Sequence, residues 1–240
     1  MLQWLRHDYF WRQLHLWSSL VIGIQLIAWF ASGFVMSVLP IEEVRGQHLR
    51  KALPEVSWQQ VHIAPKDVLS TFPANSSLTL SQRATEPVYL VTTAEQTHAI
   101  SAISGQTVPT LTANEISALA KLQYQGDAEL LTAELLELAP NEVRGLTAPV
   151  WRVNIADAEH SSLYLDANTG VLLRVRTDTW RLYDFFWMLH IMDYQNREDF
   201  NHLLLIICAG SAFMFSLSGM VLLLLVLRRK WRKRLASSAQ

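Results

Sequence analysis

Residues 14–39 read LHLWSSLVIGIQLIAWFASGFVMSVL, and no Asp, Glu, Lys or Arg occurs between Gln13 and Ile41. About 20 apolar residues in a helix cross a hydrocarbon core of about 30 Å. Only a helix satisfies its own backbone groups in lipid, so the stretch predicts one transmembrane helix over 13–40 rather than a pair of strands. A second charge-free run, Phe200 to Leu227, predicts another over 200–227. The first run is longer than the apolar part of a signal peptide, and Ala31-Ser32-Gly33 is a poor cleavage site, so it reads as an uncleaved anchor.

Charge sets the expected orientation. The tail 228–234 reads RRKWRKR, and the arm 1–12 carries Arg6 and Arg12 against Asp8. The segment from Glu42 to Asp199 holds 12 Lys and Arg against 20 Asp and Glu, so a formal net charge of −1 hides a basic pair of ends and an acidic middle. The positive-inside rule then predicts both ends in the cytoplasm and residues 41–178 on the far side. The polybasic tail 228–240 is also compatible with anionic-lipid binding. Cys208 is the sole cysteine, so the middle domain has no disulfide and no C-x-x-C-H site for covalent haem.

The middle of the chain repeats itself. Pro87-Val88-Tyr89-Leu90-Val91 matches Pro149-Val150-Trp151-Arg152-Val153, both with the alternation of a strand. His98 and His160 each follow eleven residues after the proline, and Ser101-Ala102-Ile103-Ser104-Gly105 corresponds to Asp166-Ala167-Asn168-Thr169-Gly170. Two copies, about 57–109 and 112–176, are the simplest reading. A helical segment precedes each: Ser57 to Phe72, with Pro65 starting the true helix, and Thr112 to Leu138, opened by a Thr112/Glu115 capping box and divisible at Gly126. The expected fold is a membrane-anchored α+β domain of helices covering antiparallel sheet, with an interfacial helix and polar break over 179–199.

Pro149, Trp151, Val153 and the run Tyr164-Leu165-Asp166-Ala167-Asn168-Thr169-Gly170-Val171 resemble a PepSY repeat, in which an aromatic-bearing strand precedes a Y-V-D-A-x-T-G-E-V hairpin. Val171 stands where that pattern has Glu, and the first copy is degenerate, with Ser101 for the Asp. Trp11-Arg12-Gln13-Leu14-His15 and Leu189-His190 are similar to the PepSY-associated transmembrane family, whose larger members carry more helices. The resemblance implies a bacterial inner membrane, a periplasmic domain, and b-type haem held between histidines for electron transfer, often to ferric siderophores.

His7, His15, His190 and His202 lie near the two apolar runs. Imidazole at a bilayer boundary is costly unless paired or ligated, and neutral imidazole is the usual axial ligand of haem. The resemblance points most directly to His15 and His190, with His202 beside them as the third axial-ligand candidate for haem iron. With about 1.5 Å of rise per residue, His15 stands roughly 30 Å from the other two, so one haem cannot bridge them; a near-side site needs His15 with His7, about 80° round the helix, or, more readily, His15 from a second subunit, and His190 with His202 would form a far-side site. The bland alternative is a polar anchor or interhelical hydrogen bond. Trp4, Trp11, Trp17, Trp180, Trp187 and Trp231 read as an aromatic belt. Ser19 with Gly23, Ala28 with Ser32 and Ala212 with Ser216 permit close helix packing, in a homodimer or hetero-oligomer.

The sequence holds no G-x-S-x-G, H-E-x-x-H, phosphate-binding loop or G-x-G-x-x-G. Without a flavin or NAD site, a redox role requires an external electron donor. Three functional readings follow: a haem b electron-transfer subunit of ferric-reductase type; a tethered PepSY-like binding or regulatory module, protease-inhibitor-like; and an assembly subunit of a membrane complex. None involves nucleic acid.

Overall fold

The computed structural model describes the backbone of residues 2–237 and side chains from Leu16 to Trp231, apart from a few positions in the last helix. The fold is α+β, with one long apolar N-terminal helix and two antiparallel sheets. The chain divides into two compact units, 39–182 and the pair of segments 1–38 with 183–240.

In the first of these, α2 (Ile41–Val44) is followed by α3 (Pro65–Leu69) and a sheet of β1 (Ser77–Arg83), β2 (Glu86–Thr92) and β3 (Thr97–Ser101). Pro65 does begin α3, where a missing N–H costs nothing, but the helix is only five residues long. Val68 packs on Tyr89, Val91 and Ile100, and the Tyr89 hydroxyl donates to the Ile63 carbonyl at 2.8 Å. Next come α4 (Ala113–Gln123) and a sheet in the order β4 (Glu134–Leu136), β5 (Val150–Asn154), β6 (Ser162–Asp166), β7 (Leu172–Arg176). One face of that sheet buries Trp151, Val153, Leu163 and Leu165 under Ile116 and Leu119 of α4; the other buries Val150 and Tyr164 under Val143.

The capping box is present: Thr112 Oγ1 accepts from the Glu115 amide, and Glu115 accepts from the Thr112 amide. The predicted helix to Leu138 is overturned. Tyr124 turns extended after Gln123, and Leu130 bridges Ile155 before β4 pairs with β5. Residues 129–138 carry strong helix formers, yet the strand saves the outer edge of β5 from losing its backbone partners, and tertiary pairing overrides propensity.

The two sheets are built alike. Tyr89 pairs with Ile100 as Trp151 pairs with Leu165, and Val88 with Ser101 as Val150 with Asp166. Ser101 Oγ accepts from the amides of Ile103 and Ser104; Asp166 Oδ1 accepts from those of Asn168 and Thr169. Gly105 (φ 75°) and Gly170 (φ 69°) then close both turns in the left-handed region, donating to the Ser101 and Asp166 carbonyls. A Cβ on Gly170 would also fall 2.3 Å from Leu119 Cδ1. The histidine spacing has another origin than the repeat: His98 pairs with Val91 inside β3, whereas the position opposite Val153 is Leu163, and His160 lies in the turn before β6 at φ 46°.

The second unit contains α1 (Leu2–Val38), the last part of α5 (Asp178–Ile191) and α6 (Leu203–Ser237). Over Leu16–Val38, α1 is long and apolar enough to cross a membrane, and only 6% of its apolar window is buried. In α6 the described apolar stretch is the shorter Leu203–Leu217, so a second spanning helix is not shown among the described residues.

Candidate functional site

The predicted site residues have different fates. His15 and His7 lie on α1, but their side chains fall outside the described residues. His202 and His190 are both described, and hydrogen bonds define each.

His202 immediately precedes α6 and acts as its cap. Its Nδ1 accepts from the Leu205 amide at 3.3 Å, which leaves the ring proton on Nε2 for donation to the Ile191 carbonyl at 2.8 Å. A side-chain acceptor for a first-turn amide satisfies one of the orphan donors of a helix start. Both ring nitrogens are therefore engaged with backbone, and in this conformation neither is open to a metal.

His190 is held differently. Ser32, fully buried on α1, donates its hydroxyl proton to the Trp29 carbonyl at 3.0 Å, the back-bond characteristic of serine inside a helix. Its oxygen is then the acceptor for His190 Nδ1, 2.9 Å away. That assignment places the imidazole proton on Nδ1 and the lone pair on Nε2, which has no partner among the described residues. Trp29 closes the circle by donating its indole N–H to the His190 carbonyl at 2.8 Å. The end of α5 is thus clasped to α1 by two hydrogen bonds. Ser32 is buried at this contact, and the His190 ring lies beside Gly33, where a Cβ would stand 3.6 Å from His190 Cε1, an ordinary contact.

His190 lines an open groove of about 630 Å³ with Trp29, Phe30, Gly33, Phe34 and Leu205 among its walls. The volume lies within the range of small-molecule sites, and the lining has their usual character, apolar with a few oriented polar groups. Sequence reasoning singled out Ser32 for helix packing and Trp29 not at all; neither signals a histidine partner until the folding back of α5 is known.

A loop between α5 and α6 supports this corner. Asp193 accepts from the amides of Gln195, Asn196, Glu198 and Asp199, at 3.1 to 3.2 Å. These amides, that of Asp199 foremost, hold its carboxyl down at about 2. Arg197 pairs with Asp184, buried on α5, and the Trp187 indole N–H donates to the Arg197 carbonyl at 3.1 Å. Among the described residues no group of three or more His, Cys, Asp or Glu side chains forms a metal-binding cluster.

A ligating histidine typically donates its second nitrogen to an outer partner, which sets the tautomer and aims the other lone pair. His190, oriented by Ser32, meets that requirement and would hold a haem iron; both ring nitrogens of His202, as placed, are engaged with backbone. No family model, curated protein or solved structure matches the chain.

Proposed function

We propose that the protein is a haem b-binding electron-transfer subunit of a bacterial inner membrane, in which His190 Nε2 ligates the iron. Both α1 and α6 span the bilayer in this reading, the termini are cytoplasmic, and unit 39–182 is a periplasmic PepSY-like domain. The observation that carries it is the Ser32–His190 contact of 2.9 Å, which engages Nδ1 and leaves Nε2, on a residue lining an open apolar groove, without a partner among the described residues. Large exposed side chains on α1, Phe30 at 71% and Phe34 at 68% among them, favour lipid around it. Haem would supply one-electron redox chemistry. The chain's own residues would orient the ligand through Ser32, clasp its helix through Trp29 and keep water from the iron with Phe30 and Phe34. An external donor would deliver electrons, and the acceptor would be a periplasmic ferric complex. A second ligand would come from outside the chain, since His15 of any copy inserted in the same orientation lies roughly 30 Å away across the bilayer.

The test is the visible spectrum of the full-length protein in detergent, oxidised and dithionite-reduced, for wild type and His190→Ala. A reduced b-type spectrum lost in the variant supports the assignment; a wild type that stays colourless after haem addition removes it. A second reading is a tethered binding or regulatory module. It is favoured by β1, whose seven residues pair on one side only with β2 and leave an edge for an extended segment of an exported protein. A colourless protein that inhibits a co-expressed periplasmic protease would establish that reading instead.

A further inference from the structure

The second sheet carries a charge pattern that neither reading uses. Register aligns Glu134, Arg152, Tyr164 and Arg174 in one row across β4 to β7, and Asn154, Ser162 and Arg176 in the next. Side chains in register on neighbouring strands share a face, so three guanidinium groups project from that one side. Arg144 and Arg181 approach it from flanking segments.

The carboxylates there are already committed. Glu134 takes Arg152 at 2.6 Å. Glu142 accepts from the Tyr164 hydroxyl and from Arg181, and Asp178 from Arg181 and His160. Among the described residues, Arg174 and Arg176 donate only to carbonyl oxygens: Arg174 to Leu173, Arg176 to Glu142 and Val175. Burial, followed by the neighbouring charge of Arg174, pushes Arg176 down to about 10. Two like charges are held together against their repulsion, with one of them partly desolvated; an anion removes that cost.

The Trp180 ring organises the pair's surroundings. Arg176 Cζ lies 4.1 Å from its centroid and Arg144 Cζ 5.9 Å. A guanidinium over an indole is held in place, and with Nε and Nη1 of Arg176 on the Glu142 and Val175 carbonyls, its Nη2 is left for a phosphate among the described residues. We propose that Arg174 and Arg176, set by Trp180, form a site for the phosphate of an anionic phospholipid headgroup.

Lipid is favoured over a free anion by what adjoins the site along the chain. Trp180 stands in the first turn of α5, followed by Leu182 at 48% and Phe185 at 47% exposure. Ten residues after Trp180 in the same helix, His190 is clasped to the apolar stretch of α1. Tryptophan, arginine and exposed apolar side chains on one short segment match the headgroup layer. The inference rests on the membrane part of the proposed function and is independent of haem.

The test uses the full chain in detergent with the basic side chains of 228–234 replaced by Gln, so that the tail takes no part. Native mass spectrometry counts bound phosphatidylglycerol or phosphatidylcholine. Preferential retention of phosphatidylglycerol is expected, with a loss of about 25-fold in R174Q/R176Q, at about one basic-residue increment each. R174Q alone, at an exposed position whose one bond is to its neighbour's carbonyl, should lose about fivefold with unchanged melting. Equal retention of the two lipids, or retention unchanged in these variants, overturns the site while leaving membrane anchoring intact. Full displacement of phosphatidylglycerol by millimolar inorganic phosphate overturns the lipid assignment. A chain that stays monodisperse without detergent overturns both this inference and the membrane reading.

Discussion

Replacing Ser32 by Ala tests whether a single oxygen prepares His190. Ser32 is fully buried, so water does not replace the lost acceptor. The bond in question, Nδ1 to Oγ at 2.9 Å, fixes both tautomer and ring orientation, while the separate bond from Trp29 to the His190 carbonyl at 2.8 Å still clasps the helices. Removing an outer partner of a metal ligand lowers metal affinity by about 10- to 100-fold. That corresponds to roughly 1.4 to 2.8 kcal/mol. Global stability should fall by about 1 to 3 kcal/mol, the cost of leaving the Nδ1 donor without its acceptor. The assay is a haem titration of detergent-purified protein followed by Soret absorbance, beside a thermal melt. Ser32→Ala should weaken binding about 10- to 100-fold while the protein still folds, His190→Ala should abolish it, and Trp29→Phe should lower the melt with a smaller loss of affinity. Haem affinity equal to wild type in Ser32→Ala, with His190→Ala colourless, would refute the tautomer reasoning and leave His190 as a ligand oriented by something else.

Further outcomes follow from the same contacts. His202→Ala should keep any haem spectrum and lower stability by about 1 kcal/mol, because it removes the α6 cap; loss of the spectrum with intact folding would contradict the capping role. Gln123→Leu should cost about 2 to 3 kcal/mol in urea unfolding, since the buried amide donates to the Gly170 carbonyl and accepts from the Leu172 amide, both at 2.8 Å. Gly170→Ala should destabilise by about 1 to 3 kcal/mol, from a positive φ and a collision with Leu119. The depressed Asp193 carboxyl contributes stability that is complete above its unfolded value near 4 and is lost as pH falls toward about 2. Protection of the Gln195, Asn196, Glu198 and Asp199 amides, as exchange relative to the intrinsic rate at each pH, should accordingly fall over that window in wild type and show no such step in Asp193→Ala.

Local patterns are legible wherever one short segment carries its own physical demand. The Thr112/Glu115 box needs only two side chains at a spacing of three, and both the Ser101 and the Asp166 turn need an acceptor followed by glycine with positive φ. Residues 129–138 are not legible in the same way, because their leucines fit a helix as well as a strand, and only the open edge of β5 selects the strand. The shared spacing of His98 and His160 is a coincidence of composition, since the second hairpin has a longer connection between β5 and β6.

For the candidate site the division is sharper. Sequence alone determined that the chain carries an apolar helix, read over 13–40 and found apolar over Leu16–Val38, that the middle of the chain reads as α+β and repeated, and that His190 and His202 stand beside an apolar run, where imidazole needs a partner. These follow from hydropathy, periodicity and residue chemistry, which are properties of neighbours along the chain. Only the tertiary structure decided which histidine is committed. His202 meets the amide of Leu205 and the carbonyl of Ile191, whereas His190 reaches Ser32 from 158 positions away. Whether an imidazole lone pair is free depends on which donor or acceptor arrives beside it in space, and no spacing along the sequence records that encounter.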